Sequence, residues 1–312
     1  MSVTHARNDG RRKVLAIGLG LGLLLMAGVL AGVLAGLLPW PLLLLPLLHP
    51  LALLAEMLMA AALHRGDALA RPPWRARWRA WAAETGCSSR LFLREQMLCE
   101  HRWPDAQAAA PGVRGVLLIH GHLCNRGVWN DWQPGLRALG VPVIAPSLEP
   151  LFVSIDQHAP VIDAAIRRLE ALTGQAPLVV CHSMGGLVLR AWWRAQVQAG
   201  ATPQAVSARV AGVITVGTPH RGTWLARFGQ RPNVRQMRLD SDWLQALAAA
   251  ETPAWRARFL CVRSDCDTIV FPPRCALLED APALTLPSRG HLELLDDPLL
   301  RRQVEQALRA RT

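Results

Sequence analysis

The stretch LVVCHSMGGLV, residues 178–188, decides the fold. An apolar run typical of a buried strand ends at a serine, and two glycines open a segment with helical spacing. A strand-to-helix turn this tight strains the serine backbone and projects the hydroxyl outward, so the residues two before and two after it must be small. Gly185 meets this need, and Cys181, where glycine is usual, is still small enough to be buried. These features favour an exposed nucleophile at Ser183 over an ordinary helix N-cap.

The chain around this turn alternates short apolar runs with amphipathic segments. Such alternation predicts an α/β fold with a mostly parallel sheet and helices on both faces. We expect strands at 115–121, 141–148, 176–183, 209–219 and 258–265, and helices at 128–140, 159–174 and 184–198. The stretch 221–256 breaks the alternation with polar and helical residues, which indicates a lid or cap.

A serine nucleophile needs a base and an orienting acid, and in folds with this turn they follow it in the order acid, then histidine. His291 lies in SRGHLELL, residues 288–295, and is the only histidine after His220. It is therefore the favoured base, because His220 precedes the candidate acids. Two aspartates, Asp265 and Asp267, leave the strand expected at 258–265, and the spacing alone keeps both open.

Residues 113–300 resemble the α/β-hydrolase superfamily, and within it the bacterial lipase and esterase branch. The resemblance is carried by five segments: LLIHGHLCNRGVW (117–129), VVCHSMGGLVLRAWW (179–193), VGTPHRGTW (216–224), DTIVFP (267–272) and GHLELL (290–295). In that family the acid precedes x-x-Val-x-Pro, which implies Asp267 as the acid and Asp265 as the alternative. The resemblance implies that Ser183, Asp267 and His291 form a catalytic triad.

The same resemblance implies an oxyanion hole, the pair of N–H groups that stabilises a tetrahedral intermediate. One donor is expected to be the N–H of Met184, and the other the N–H of His122, with Leu123 as the alternative. His120 is then structural, and His220 shapes the wall of the site. We expect no cofactor and no metal, because His120-Gly121-His122 alone is a weak metal signature.

The N-terminal part of the chain carries a long uncharged run. No Asp, Glu, Lys or Arg occurs from Val14 to Ala55, and about 20 apolar residues suffice for one helical pass through a bilayer. After a basic tail at 1–13 we expect a transmembrane hairpin over 14–63, with passes at about 14–37 and 41–63. The run is far longer than the core of a signal peptide, which argues against that reading.

The charge distribution orients this predicted anchor. The formal net charge is +11, and arginines flank the apolar run on both sides, which favours a hairpin with both ends in the cytoplasm. Residues 64–110 are then a basic juxtamembrane linker with edge elements, including an edge strand around 91–97. RPPWRARWRAW, residues 71–81, mixes Arg with Trp and suits a helix on anionic lipid headgroups. Nucleic-acid binding is disfavoured, because no binding module accompanies the charge.

The seven cysteines include no C-x-x-C pair, so neither a zinc site nor a disulfide framework is indicated. Cys261 and Cys266 could pair in an oxidising compartment, while reduced thiols agree with a cytoplasmic domain.

Together these features predict an enzyme of the bacterial inner membrane. Its catalytic domain, residues 111–312, would hydrolyse carboxylic esters, and the anchor favours lipid acyl esters as substrates. An acyltransferase or a thioesterase would use the same residues. A non-catalytic membrane scaffold with a hydrolase-like domain is the alternative from another class of protein.

Overall fold

A six-stranded parallel sheet organises the part of the chain that the computed structural model describes, which is residues 47–63, 69, 71–110 and 112–309. The strands are β1 Val116–Ile119, β2 Val143–Ile144, β3 Leu178–His182, β4 Gly212–Val216, β5 Phe259–Arg263 and β6 Ala283–Thr285. Their order across the sheet is β2-β1-β3-β4-β5-β6, and every neighbouring pair is parallel. The predicted parallel sheet is therefore confirmed, with β3 near its centre.

Helices connect the strands and cover the sheet. They are α1 Leu48–Leu63, α2 Trp74–Ser89, α3 Gln133–Ala138, α4 Ala159–Thr173, α5 Met184–Gln198, α6 Pro203–Ala208, α7 Pro232–Gln236, α8 Asp242–Ala250, α9 Pro253–Arg256 and α10 Pro298–Arg309. Short 3₁₀ turns lie at Arg126–Trp129, Ile155–His158, Trp224–Phe228, Pro273–Ala276 and Glu293–Asp296.

The two faces of the sheet bury two separate cores, because successive side chains of a strand point to opposite faces. Val179 and Cys181 of β3 pack with α4 and α5 on one face. Leu178 and Val180 pack with α3 and α10 on the other. Burial on both faces is why these strands appear in the sequence as continuous apolar runs.

Several predicted elements are shorter than expected. The segment predicted as one helix at 128–140 divides into a 3₁₀ turn and α3, which has a proline in its first turn. Only Val143–Ile144 of the strand expected at 141–148 pairs with β1. Pro142 and Pro146 flank that pair, and proline has no N–H to donate to a sheet.

The described N-terminal residues form helices at Leu48–Leu63 and Trp74–Ser89 and a π-helix at Arg90–Gln96. The edge strand expected around 91–97 is wrong, because Arg90–Gln96 continues α2 as a π-helix. Leu91 of this π-helix packs into the core shared with α10. The Glu95 carboxylate accepts a hydrogen bond from the Asn130 side chain at 2.9 Å, so the segment is held against the sheet domain by buried polar contacts.

Helix α1 coincides with most of the predicted second membrane pass. It has 16 residues and packs against α2, where the Trp81 indole donates to the Pro50 carbonyl at 2.9 Å. In the described ranges, no helix is both long and apolar enough to traverse a bilayer. The basic tail at 1–13 and the first predicted pass at 14–37 lie outside the described residues.

The segment expected to form a lid, 221–256, is a series of short helices above the carboxyl ends of the strands. It contains the 3₁₀ turn Trp224–Phe228 and helices α7, α8 and α9. The arginine–glutamate pair Arg190–Glu251 fastens it to α5, with Nε and Oε1 2.7 Å apart and both side chains fully buried. The assignment of this segment as a lid or cap stays a prediction.

Candidate active site

Ser183 occupies the turn between β3 and α5, as the sequence predicts. Its φ of 53° and ψ of −127° lie in a region that side-chain-bearing residues rarely adopt. Two contacts hold this strained backbone: the Ser183 N–H donates to the Val216 carbonyl at 2.8 Å, and the Thr218 hydroxyl donates to the Ser183 carbonyl at 2.8 Å. Neighbouring strand β4 and the loop after it therefore fix the serine in place.

Glycines allow the backbones around Ser183 to approach one another. A Cβ on Gly185 would lie 2.5 Å from the Ile119 carbonyl oxygen and 2.7 Å from that of His120. A Cβ on Gly121 would lie 2.7 Å from the Ser183 Cβ. Cys181 is fully buried in the core beside α5, so the space at this variant position accommodates a thiol.

Asp267 and His291 meet beside this turn. His291 Nδ1 lies 2.8 Å from Asp267 Oδ2, and both side chains are buried. The other carboxylate oxygen of Asp267 accepts the N–H groups of Ile269 at 2.8 Å and Val270 at 2.9 Å. The aspartate is thus oriented by its own loop. It in turn orients the imidazole, so that Nε2 is the ring nitrogen that can accept a proton.

The surroundings of His291 favour its charged form. Burial acts to lower the pKa of His291, but the charge of Asp267, the hydrogen bond to it and the charges of Glu84 and Glu56 together outweigh burial, and the pKa is raised above 6.5. The ring of His182 lies 4.7 Å from that of His291. Burial first, and then the charge of His291, hold the pKa of His182 well below its ordinary value. His182 therefore stays neutral beside the imidazolium.

The alternative acid Asp265, the alternative base His220 and the structural His120 lie in other contacts. Asp265 accepts the N–H of Ser288 at 2.7 Å, so it supports the loop that leads to His291. His220 Nε2 lies 3.0 Å from the Thr215 hydroxyl, and His120 Nε2 accepts the N–H of Leu148 at 2.8 Å. The structure thus brings Asp267, rather than Asp265, to His291.

The expected oxyanion donors border Ser183. Met184 is the first residue of α5, so its N–H belongs to the first turn, which has no partner within the helix. His122 and Leu123 line the same cleft, and Leu123 has a φ of 59°. The His122 ring lies 3.2 Å from the Asn233 amide, which fixes its loop against α7. The assignment of His122 or Leu123 as second donor stays a prediction.

These groups open into a cleft of about 430 Å³ with mostly apolar walls. Its lining includes Ser183, His291, Leu225, Ala226, Val234, Met237, Ile269 and Val270. The N-terminal segment supplies the opposite wall, with His49, Leu53, Glu56, Glu84 and Phe92. The sequence interpretation missed this wall, because it assigned α1 to the membrane and α2 to a linker.

Two carboxylates on that wall face His291. Burial raises the pKa of Glu56 to about 7, against the opposing charge of His291. Burial likewise raises the pKa of Glu84 to about 7. A sequence signal for both exists: each is the single acidic residue in a helix that is otherwise apolar or basic. Burial of a carboxylate costs free energy, so an isolated acid in such a helix is a candidate for a functional site.

The comparisons with known proteins agree with this architecture. Residues 116–312 match the sequence model of the alpha/beta hydrolase family, and the chain therefore belongs to that family. No curated protein matches the chain.

Three solved lipase structures are similar to this chain at low sequence identity. The mature lipase BlEst2 of Bacillus licheniformis is 15% identical, with a TM-score of 0.51 over 65% of this chain and 95% of that one. Lipase B of Aspergillus fumigatus is 18% identical, with a TM-score of 0.48 over 56% and 45% of the two chains. A monoacylglycerol lipase of Paleococcus ferrophilus is 17% identical, with a TM-score of 0.45 over 65% and 97%.

The two positions that flank Ser183 at a distance of two residues, Cys181 and Gly185, test the packing of this turn. Gly185→Ala should abolish ester hydrolysis, because its Cβ would meet two backbone carbonyls that cannot move independently. Cys181→Gly should keep activity at a lower Tm, and Cys181→Leu should abolish activity by overpacking a closed core. The measurements are kcat/KM on a short-chain ester and Tm.

Gly135→Ala is the matched control, because a Cβ there meets no atom within 4 Å and alanine favours a helix. An active Gly185→Ala variant would contradict this account of the turn.

The acid is tested by comparing the two aspartates. Asp267→Asn should lower kcat/KM by roughly 10³- to 10⁴-fold, as loss of the orienting carboxylate does in other triads. Because Asp267 raises the pKa of His291, the loss of activity on acidification should also move to lower pH. Asp265→Asn should cost far less. Equal losses in the two variants, measured across the pH profile, would show that the assignment is wrong.

Proposed function

We propose that the protein is a serine hydrolase that cleaves carboxylic esters, with lipid acyl esters as its substrates. The observation that carries the proposal is the strained Ser183 turn in one cleft with the buried Asp267–His291 pair, whose contact is 2.8 Å. This arrangement also argues against a non-catalytic scaffold, which has no need for a strained serine beside a paired histidine.

The mechanism follows from the positions of these groups. His291 Nε2 accepts the proton of Ser183 as its hydroxyl oxygen attacks the ester carbonyl, and Asp267 stabilises the imidazolium that forms. The N–H groups of Met184 and His122 stabilise the oxyanion. His291 then gives its proton to the departing alcohol, and a water molecule activated by the same imidazole releases the acid.

The lipid substrate class is supported by the walls of the cleft. Leu53, Phe92, Leu225, Val234 and Met237 border the catalytic groups, and an acyl chain gains free energy by leaving water for such a surface. Hydrolysis of a thioester, or acyl transfer to an alcohol, would use the same groups. Assays with an acyl thioester and with added alcohol acceptors distinguish these alternatives.

Membrane attachment is part of the proposal and is supported by the part of the uncharged run that precedes α1, residues 14–47. The exposed Trp74 and Trp78 on α2, beside several arginines, suit the interface of the same membrane. The arginines favour the cytoplasmic side of a bacterial inner membrane. Cys99 is half-buried, whereas the other six cysteines are buried, so Cys99 is the thiol that a maleimide can reach. Because a cytoplasmic domain is shielded by the inner membrane, an impermeant maleimide should label Cys99 only after spheroplasts are lysed.

Labelling with a fluorophosphonate probe tests both parts of the proposal. We expect one labelled band at the mass of the full chain, retained in the pellet after an alkaline carbonate wash of the membranes. Ser183→Ala should remove the band.

Ser207→Ala is the control, because Ser207 is a buried serine that accepts the Trp193 indole N–H at 3.0 Å and lies in α6. A band that survives Ser183→Ala would contradict the mechanism, whereas a labelled band in the soluble fraction would contradict the anchor alone.

A further inference from the structure

Glu84 of α2 makes an unusual set of contacts with the catalytic turn. Its carboxylate accepts the Leu292 N–H at 2.9 Å and 3.0 Å, one distance to each oxygen, and the Glu293 N–H at 3.0 Å. These two N–H groups directly follow His291. The side chain is only 5% exposed, and a buried carboxylate is retained only where its hydrogen bonds repay the cost of removing it from water.

The catalytic turn is shaped to receive this carboxylate. A Cβ on Gly290 would lie 2.7 Å from the Glu84 Cβ and closer still to its Oε2. Arg79, one turn before Glu84 on α2, pairs with Glu293 at 2.6 Å. Helix α2 therefore contacts the His291 turn through two charged side chains, and the turn leaves room for one of them by having no side chain at Gly290.

We propose that Glu84 is a positioning residue for the catalytic base: it fixes the turn that carries His291 and favours the imidazolium formed during proton transfer. The inference rests on the proposed function and assigns a role in it to the N-terminal helices. Glu84 acts through His291 and the backbone of its turn, and it is not proposed to touch the substrate.

The titratable groups that face His291 in the described part of the chain set the electrostatic part of this role. They are Asp267 in the loop after β5, Glu84 on α2, Glu56 on α1 and His182 at the end of β3. The charges of Asp267, Glu84 and Glu56 each raise the pKa of His291, in that order. Because His182 is neutral, the three carboxylates decide the direction in which the pKa of His291 shifts. Because burial raises the pKa of Glu84 itself to about 7, its charge acts on His291 mainly above that pH, and loss of the charge there lowers the pKa of His291.

The test is the pH profile of Glu84→Gln in the full-length protein, with a water-soluble short-chain ester as the probe. We expect kcat to fall about ten- to a hundredfold at an unchanged KM, the range that loss of a buried hydrogen bond to a charged group corresponds to. The acidic limb of kcat/KM should move to lower pH. A purely structural role would lower kcat or Tm and leave that limb in place.

Two further variants separate hydrogen bonding from charge. Gly290→Ala should displace the carboxylate from the turn and reproduce the Glu84→Gln profile, and the double variant should be no worse than either single variant. Glu56→Gln removes a nearby charge from a residue whose Oε2 has no hydrogen-bond partner within the described part of the chain. It should move the acidic limb, because a charge near His291 is lost while no hydrogen bond to the His291 turn is broken.

Glu100→Gln is the matched control for a buried carboxylate. Glu100 is also 5% exposed, and it accepts the Ser147 hydroxyl at 2.8 Å, in the loop after β2. This variant should leave the acidic limb unchanged. A wild-type profile for Glu84→Gln, or a loss of Tm without any movement of the limb, would overturn the inference. Absence of Ser183 labelling in the parent protein would instead overturn the proposed function.

Discussion

The close approach of three backbones at Ser183 is the constraint on which the rest of the site depends. The end of β1, the end of β3 and the start of α5 meet where Gly121 and Gly185 carry no side chain. At this close approach the serine has a positive φ, directly after the carboxyl end of β3. The hydroxyl is then presented at the carboxyl ends of the strands, where the loops of a parallel sheet converge.

The other half of the site has no such rigid support. His291 lies on a turn near the end of the chain, and contacts from distant segments determine its position. Asp267 orients the ring from the loop after β5, and Glu84 holds the following N–H groups from α2, 208 residues earlier in the sequence. The result is an imidazole beside several carboxylates, which raise its pKa. In the proposed reaction the imidazole must be neutral to accept a proton, so we expect activity only above that raised pKa.

The features that could be predicted from the sequence are those encoded in short motifs or in the order of such motifs. The sheet, the turn at Ser183 and the pairing of Asp267 with His291 were all expected, because each depends on a short motif or on the order of motifs. The wall formed by α1 and α2 was not expected. An apolar helix such as α1 has the same composition whether it lies in a membrane or against a cleft. The contact of Glu84 with the His291 turn joins two segments that are far apart in the sequence, and no local pattern connects them.

The most direct test of the central claim is the structure of the enzyme after reaction with an alkyl phosphonate, which mimics the tetrahedral intermediate. The account predicts phosphorus bonded to the Ser183 hydroxyl oxygen. It also predicts the phosphoryl oxygen within hydrogen-bond distance of the N–H groups of Met184 and His122, and the alkyl chain along the apolar wall of the cleft. A phosphonate attached to another residue, or a phosphoryl oxygen turned away from both N–H groups, would contradict it.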